Sequence, residues 1–288
     1  MKRKYKTWAL FLLLLSSVSA MATRRVHDEL GREVTVPDSP QRIVCLAPSI
    51  TDIVFKLGAG ARVAGITDYT KYPPEALTKP SVGGVINPSL EKLASLQPDL
   101  VLAIADLNSF DLVRSIQGLG FPVFTIQPHG IAGIYHSVQS VGEAINERDR
   151  ASALVKSLRV REDAVRRHVA GKKSPSLFFL LWPDPLMSAG KGAFINELIK
   201  IAGGSSITSD VENEWPRISL ETVVARQPQY LLVVKGTAID LANLRSRSGW
   251  NSLEALKHGR ILYVDERINF PSPLAFDALE DLAKQLHP

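Results

Sequence analysis

The sequence of 288 residues contains a single cysteine, Cys45, and six histidines. One cysteine excludes an intrachain disulfide, and so few histidine and cysteine ligands leave little material for a structural zinc site. Charged residues make up 22% of the chain, aromatic residues 7% and hydrophobic residues 45%. This globular composition excludes disordered, collagen-like and disulfide-rich small proteins.

The sequence also lacks the common enzyme motifs. It has no GxSxG elbow and no Walker A loop, and the glycines between 58 and 65 do not have the spacing of GxGxxG. Ser89 and Ser188 each precede a lysine by three residues, but the companion KTG and SDN motifs of penicillin-binding enzymes are missing. We therefore expect no catalytic residue, with Ser89 as a helix cap and Ser188 in a turn. An exported hydrolase is the alternative from another functional class.

The N-terminus has the pattern of a secretory signal. Basic residues at 2–6 precede an apolar run at 8–15 and small residues at 16–20. This pattern predicts a cleavable signal peptide over residues 1–20, since the run is shorter than the ~20 apolar residues of a membrane span. No cysteine follows the apolar run closely. We expect a periplasmic protein that is not lipid-anchored.

The formal charge of +5 at first favours an acidic partner such as nucleic acid. Four of the 34 basic residues, and none of the 29 acidic ones, lie in the predicted signal peptide, so the remaining chain has 30 bases against 29 acids. The net charge of +1 removes this argument, and we expect no nucleic-acid partner.

The chain contains an internal repeat. Residues 89–106 and 219–236 are identical at six of eighteen positions with a constant offset of 130. In both copies a serine suited to capping a helix is followed by a Gln-Pro pair that ends it and by an apolar run typical of a buried parallel strand. The repeat predicts two similar α/β lobes.

Further strands are predicted at 42–46, 62–67, 122–126, 176–181 and 261–264, and helices at 50–57 and 194–201. Residues 146–171 are highly charged, with apolar residues at helical spacing, which predicts one long helix between an N-terminal lobe (21–145) and a C-terminal lobe (172–288). Because a helical connector is stiffer than crossing loops, we expect only small hinge motion.

Two sets of residues are candidates for binding. Aromatic residues fall in predicted loops after strands, where they would either face a large, flat ligand between the lobes or cap the core of their own lobe. Glu91 and Glu221 occupy matching positions in the two repeats. Each carboxylate would either complement the dipole of its helix or orient a partner that carries arginines.

The sequence resembles the helical-backbone class (class III) of periplasmic substrate-binding proteins, which serve ABC importers of cobalamin, ferric siderophores and haem. The resemblance covers most of the chain after the predicted signal peptide. It lies in the segments DELGR (28–32), PQRIV (40–44), LAPS (46–49), YPPEA (72–76), GG (83–84 and 203–204), QPDLV (97–101) and the two copies of SLE (89–91 and 219–221). It implies an α/β fold of two Rossmann-like lobes with parallel sheets, joined by one long helix, with the ligand cleft between them.

Segments 69–74, 188–191 and 215–219 are most similar to the cobalamin-binding branch of this class. The resemblance implies a non-enzymatic, monomeric protein that needs no cofactor and no resident metal. It would capture a corrinoid, with cobalamin favoured and a ferric siderophore or haem as the alternative. Glu91 and Glu221 would dock to the inner-membrane permease and its ATPase. The predicted ligand-binding residues are Pro48, Tyr69, Val85, Trp182, Trp215, Asp265 and Phe270.

Overall fold

The computed structural model describes residues 22–288, so the predicted signal peptide lies outside the described residues. The N-terminal lobe contains strands β1 (Thr23–His27), β2 (Glu33–Pro37), β3 (Ile43–Cys45), β4 (Val63–Gly65), β5 (Leu100–Ile104) and β6 (Val123–Ile126). Its helices are α1 (Pro48–Lys56), α2 (Leu90–Ser95), α3 (Phe110–Gly118) and α4 (Gly130–Ala144). Helix α5 (Arg148–Val169) then connects the lobes.

The C-terminal lobe contains strands β7 (Ser176–Phe179), β8 (Trp182–Pro183), β9 (Leu186–Met187), β10 (Ser205–Ser206), β11 (Tyr230–Val234) and β12 (Ile261–Val264). Its helices are α6 (Phe194–Ile201), α7 (Leu220–Arg226), α8 (Leu241–Ser246), α9 (Glu254–Lys257) and α10 (Ala275–Leu286).

The two central sheets have the same topology. The strand order is β4-β3-β5-β6 in the N-terminal sheet and β10-β7-β11-β12 in the C-terminal sheet, and all pairs in both are parallel. When only the four strands of each central sheet are counted along the chain, both orders are 2-1-3-4. The predicted fold class is therefore confirmed. The antiparallel hairpins β1–β2 and β8–β9 were not predicted.

The repeat folds in the same way in both lobes. The hydroxyl of Ser89 accepts a hydrogen bond from the backbone N–H of the third residue after it at 3.2 Å, and Ser219 does the same at 3.2 Å. Both helices are followed by a glutamine in the left-handed region, Gln97 with φ 45° and Gln227 with φ 39°. This conformation terminates a helix and turns the chain into the following strand, β5 or β11.

The connecting helix spans 22 residues, about 33 Å at 1.5 Å per residue. It begins at Arg148 rather than at the predicted position 146, because Asn146 has a φ of 61°, which a right-handed helix excludes. Helix α4 lies very close to α5 at Gly142, where an added Cβ would be 2.4 Å from the Cβ of Ala151. Glycine at this position allows the two helices to pack.

The lobes are also joined outside α5. The backbone N–H of Ile131, in α4, donates to Glu197 Oε2 of α6 at 2.9 Å. The backbone N–H of Leu274, just before α10, donates to the buried Asp52 of α1 at 3.1 Å. One hydrophobic cluster includes buried residues of both lobes and of α5. The two lobes therefore share part of their core.

Candidate ligand-binding cleft

A cavity of about 420 Å³ lies between the lobes. Its N-terminal wall is formed by loops after β3, β5 and β6, at the carboxyl ends of parallel strands, where open α/β sheets bind ligands. The N-terminal lobe contributes Ala47, Pro48, Ser49, Tyr69, Val85, Ile104, Asp106, Leu107, Pro128, His129 and Gly130. The C-terminal lobe contributes Gly192, Phe194, Ile195, Glu214, Trp215, Asn269, Phe270 and Pro271.

The structure brings five of the predicted ligand-binding residues to this cavity: Pro48, Tyr69 and Val85 on one wall, and Trp215 and Phe270 on the other. Tyr69 is 65% exposed and Trp215 is 42% exposed, so both rings have free surface to offer a ligand. Val85 is only 9% exposed, and its small side chain is covered by its own lobe.

Val85 and Trp215 each lie four residues before a capping serine, Ser89 or Ser219. They are separated by the same 130 positions as those serines, and they face the cavity from opposite lobes. Two residues before them, Gly83 with φ 103° and Asn213 with φ 72° both have left-handed backbone. The segment before each capping serine therefore places one residue on a wall of the cleft.

The structure places the other two predicted ligand-binding residues, Trp182 and Asp265, outside the cavity lining. Trp182 lies in the β8–β9 hairpin, and its indole N–H donates to the carbonyl of Asp184 at 2.8 Å. The carboxylate of Asp265 accepts from the backbone N–H of Arg267 at 3.0 Å and from its Nε at 2.7 Å. Each side chain is thus hydrogen-bonded to the residue two positions further along the chain.

Three further polar residues of the lining, Asp106, His129 and Glu214, were not predicted to bind the ligand, although His129 with His136 was a candidate metal pair in the sequence. Asp106 follows β5, and its Oδ2 is 2.9 Å from Nε2 of His129, the residue before α4. His136, seven residues further on, lies outside the lining. Within residues 22–288, no three histidine, cysteine, aspartate or glutamate side chains are grouped as ligands for a metal ion.

Glu91 and Glu221 occupy the first turns of α2 and α7, one in each lobe. Both are exposed. Neither carboxylate has a hydrogen bond or an ion pair with another residue of the described chain. The two side chains are therefore free to meet a partner, one from each half of the molecule.

The serines of the two Ser-x-x-Lys matches bear on the hydrolase alternative. Ser188 has no exposed surface, and its hydroxyl donates to the carbonyl of Phe179 at 2.7 Å and lies 3.1 Å from Thr208 Oγ1. Ser89 caps α2. These positions give structural roles to both serines and do not support the hydrolase alternative.

Comparison with known proteins gives a consistent picture. A vitamin B12-binding protein of Vibrio cholerae is 25% identical over 87% of this chain and 90% of its own length, and a crystal structure from that species superposes with a TM-score of 0.75, covering 86% of this chain and 96% of the other. A haem-binding protein of Roseiflexus is 26% identical with a TM-score of 0.79, covering 86% and 98%.

An uncharacterised ABC transporter substrate-binding lipoprotein of Bacillus subtilis is 29% identical over 91% of this chain and 85% of its own length. In the part of the chain that the structure describes, no helix is both long and apolar enough to cross a bilayer. Residues 43–268 match the periplasmic binding protein family. The chain is therefore a member of that family, whose proteins are the substrate-binding components of ABC transporters.

Proposed function

We propose that the protein binds a corrinoid, with cobalamin as the favoured ligand, in the cleft between its lobes. The observation that carries this proposal is the pair of exposed aromatic rings, Tyr69 and Trp215, which face the cavity from opposite lobes. Two such rings suit a large ligand with flat, partly apolar surfaces. The similarity to vitamin B12-binding proteins supports the same ligand class.

Haem is the second candidate, because a haem-binding protein is among the similar structures. A titration distinguishes the two. The protein is mixed with cyanocobalamin, with haem or with a ferric hydroxamate complex, and each mixture is desalted. Retention of the pink cyanocobalamin at one equivalent supports the proposal. Retention of haem or of the iron complex, with loss of cyanocobalamin, contradicts it.

We further propose that Glu91 and Glu221 dock the loaded protein to arginines of the permease. Both carboxylates are exposed and unpaired within residues 22–288, and the repeat places one in each lobe. Opposite charges across an interface orient two partners and accelerate their encounter.

The combined variant Glu91→Ala and Glu221→Ala is therefore expected to abolish uptake of radiolabelled cobalamin in the source bacterium while its affinity for cobalamin is unchanged. Asp111→Ala is the matched control, since Asp111 is also an exposed acid in the first turn of a helix, α3, but lies outside the repeat. Loss of affinity in the double variant, or equal loss of uptake in the control, contradicts the docking role.

For localisation, we propose export through the signal peptide over residues 1–20, without a lipid anchor on Cys45. Cys45 is fully buried in the central strand β3, and burial raises the pKa of its thiol to about 12. Attachment of a lipid there would disrupt the sheet. Mass spectrometry of the exported protein is expected to show an unmodified chain beginning at Met21. A lipid on the exported chain would contradict this proposal and agree with the description of the Bacillus subtilis relative.

A further inference from the structure

The walls of the cleft have an unusual balance of charge. Asp106 contributes a carboxylate from the N-terminal lobe and Glu214 contributes one from the C-terminal lobe, while none of the residues that line the cavity is lysine or arginine. His129 is the one lining residue that can become cationic, and it is paired with Asp106 at 2.9 Å. The pair has a charge of minus one when the imidazole is neutral and zero when it is cationic. Because Glu214 adds a further carboxylate, the lining as a whole is negative in both cases.

Four basic residues lie within two positions of a lining residue in the sequence, and three of them are paired with a carboxylate. The pairs are Lys71 with Glu266 at 2.7 Å, Lys191 with Glu212 at 2.8 Å, and Arg267 with Asp265 at 2.7 Å. The fourth, Arg217, is exposed, and like the other three it is not a residue of the lining.

Three helices, α1, α4 and α6, begin at the cavity, and a helix N-terminus ordinarily favours anions. At α6 the carboxylate of Glu197 already lies in the first turn, and the other two ends have lost part of that capacity. Helix α1 begins with Pro48, which has no N–H to donate. At the start of α4, the N–H of Ile131 already donates to the carboxylate of Glu197 at 2.9 Å.

We propose that acceptors in the cleft bind the amide side chains at the edge of a corrinoid. The cleft therefore selects corrinoids with amide side chains over those with free carboxylates. This inference rests on the proposed function and deepens it. An amide NH₂ offers two donors to acceptors such as Asp106 and Glu214, whereas a carboxylate offers none and carries the same charge as they do. The same arrangement disfavours the propionates of haem.

The test compares cyanocobalamin with its monocarboxylic derivatives, obtained by mild acid hydrolysis of single side-chain amides, and with the dicyano heptacarboxylate, cobyrinic acid. Affinities are measured by quenching of tryptophan fluorescence. We expect at least one monocarboxylate to bind about 10-fold more weakly than cyanocobalamin, and cobyrinic acid to bind more weakly still, since hydrogen bonds to charged groups and like-charge repulsion are each of this order. The discrimination is expected to shrink at high salt.

The combined variant Asp106→Asn and Glu214→Gln keeps the size of both side chains and removes their charge. It is expected to bind the carboxylates within about threefold of cyanocobalamin, while Asp111→Asn, outside the cleft, keeps the wild-type ratio. Equal affinity of the wild type for cyanocobalamin and cobyrinic acid overturns the inference and leaves the proposed function standing. Failure of every corrinoid to bind overturns both.

Discussion

The Trp215 indole is the largest exposed apolar surface that the C-terminal lobe offers to the cleft, and its removal is the most direct test of the proposed binding mode. The side chain is 42% exposed in the structure without ligand. A tryptophan has at most about 250 Å² to bury, so about 100 Å² of its surface is free for a ligand. At about 25 cal/mol per Å², full coverage of that surface contributes about 2.5 kcal/mol, and half coverage about 1.3 kcal/mol.

Replacement of this residue, Trp215→Ala, is therefore expected to raise the dissociation constant for cyanocobalamin between about 10-fold and 70-fold. Isothermal titration calorimetry measures the change directly and does not depend on the fluorescence of the removed indole. The variant is also expected to lose stability, by at most about 3.6 kcal/mol at the same 25 cal/mol per Å², because the remaining surface of the residue, about 145 Å², is already covered in the folded protein.

Trp182 provides a matched control. It is 52% exposed, slightly more than Trp215, but it lies in the β8–β9 hairpin outside the cavity lining. Trp182→Ala is expected to leave the dissociation constant within about twofold of the wild type. An unchanged affinity in Trp215→Ala, or an equal loss in both variants, would refute the argument that exposed aromatic surface in the cleft holds the ligand.

Three further predictions concern stability and motion. Burial raises the pKa of Asp52 from 3.8 to about 6, so its contribution to stability is complete below pH 4 and is lost as the pH rises through 6. In urea denaturation, Asp52→Asn should therefore gain about 3 kcal/mol relative to the wild type between pH 4 and pH 8, whereas Asp281→Asn, an exposed control in α10, should show no such trend. Gly142→Ala should destabilise the fold by about 1–3 kcal/mol, because the added methyl group forces α4 away from α5. Gly118→Ala, in α3 with open space around it, should stabilise the fold by about 0.5–1 kcal/mol. Equal changes in the thermal unfolding of the two variants would contradict the close helix contact. Small-angle scattering with and without ligand should show little compaction, and a large decrease in the radius of gyration would be inconsistent with a stiff connector.

The sequence was sufficient for those parts of the fold that depend on local signals. The serine cap, the Gln-Pro end and the buried strand that follows each encode their own conformation, so two copies 130 residues apart identified both lobes. The hairpin β1–β2 also had a signal, since Val26, Val34 and Val36 alternate with polar residues and are buried. Strand β10 has two residues and is defined by its pairing with β7, so no pattern could predict it.

The residues of the cleft were harder to predict from the sequence, because they lie in loops that come together only in the folded protein. Asp106, His129 and Glu214 are single polar residues in loops far apart in the chain, and only the packing of the two lobes against each other brings them to one cavity. The reverse holds for Trp182 and Asp265. Asp265 follows β12 and Trp182 begins β8, but neither lines the cavity, and each side chain is hydrogen-bonded to the residue two positions further along the chain.

The contacts between the lobes bear on how a permease would recognise a loaded protein. Glu197 joins α6 to α4 directly behind the cavity, Asp52 joins α1 to the start of α10, and the hydrophobic core continues between the lobes. Because these contacts between the lobes are already formed without a ligand, little ordering is needed when a ligand binds, which favours affinity. The same contacts limit changes in the separation of Glu91 and Glu221. If the lobes move as little as the connector predicts, the two glutamates are presented alike with and without ligand. The signal of occupancy would then come from the rim of the cleft, where the proposed ligand would cover the exposed rings of Tyr69 and Trp215.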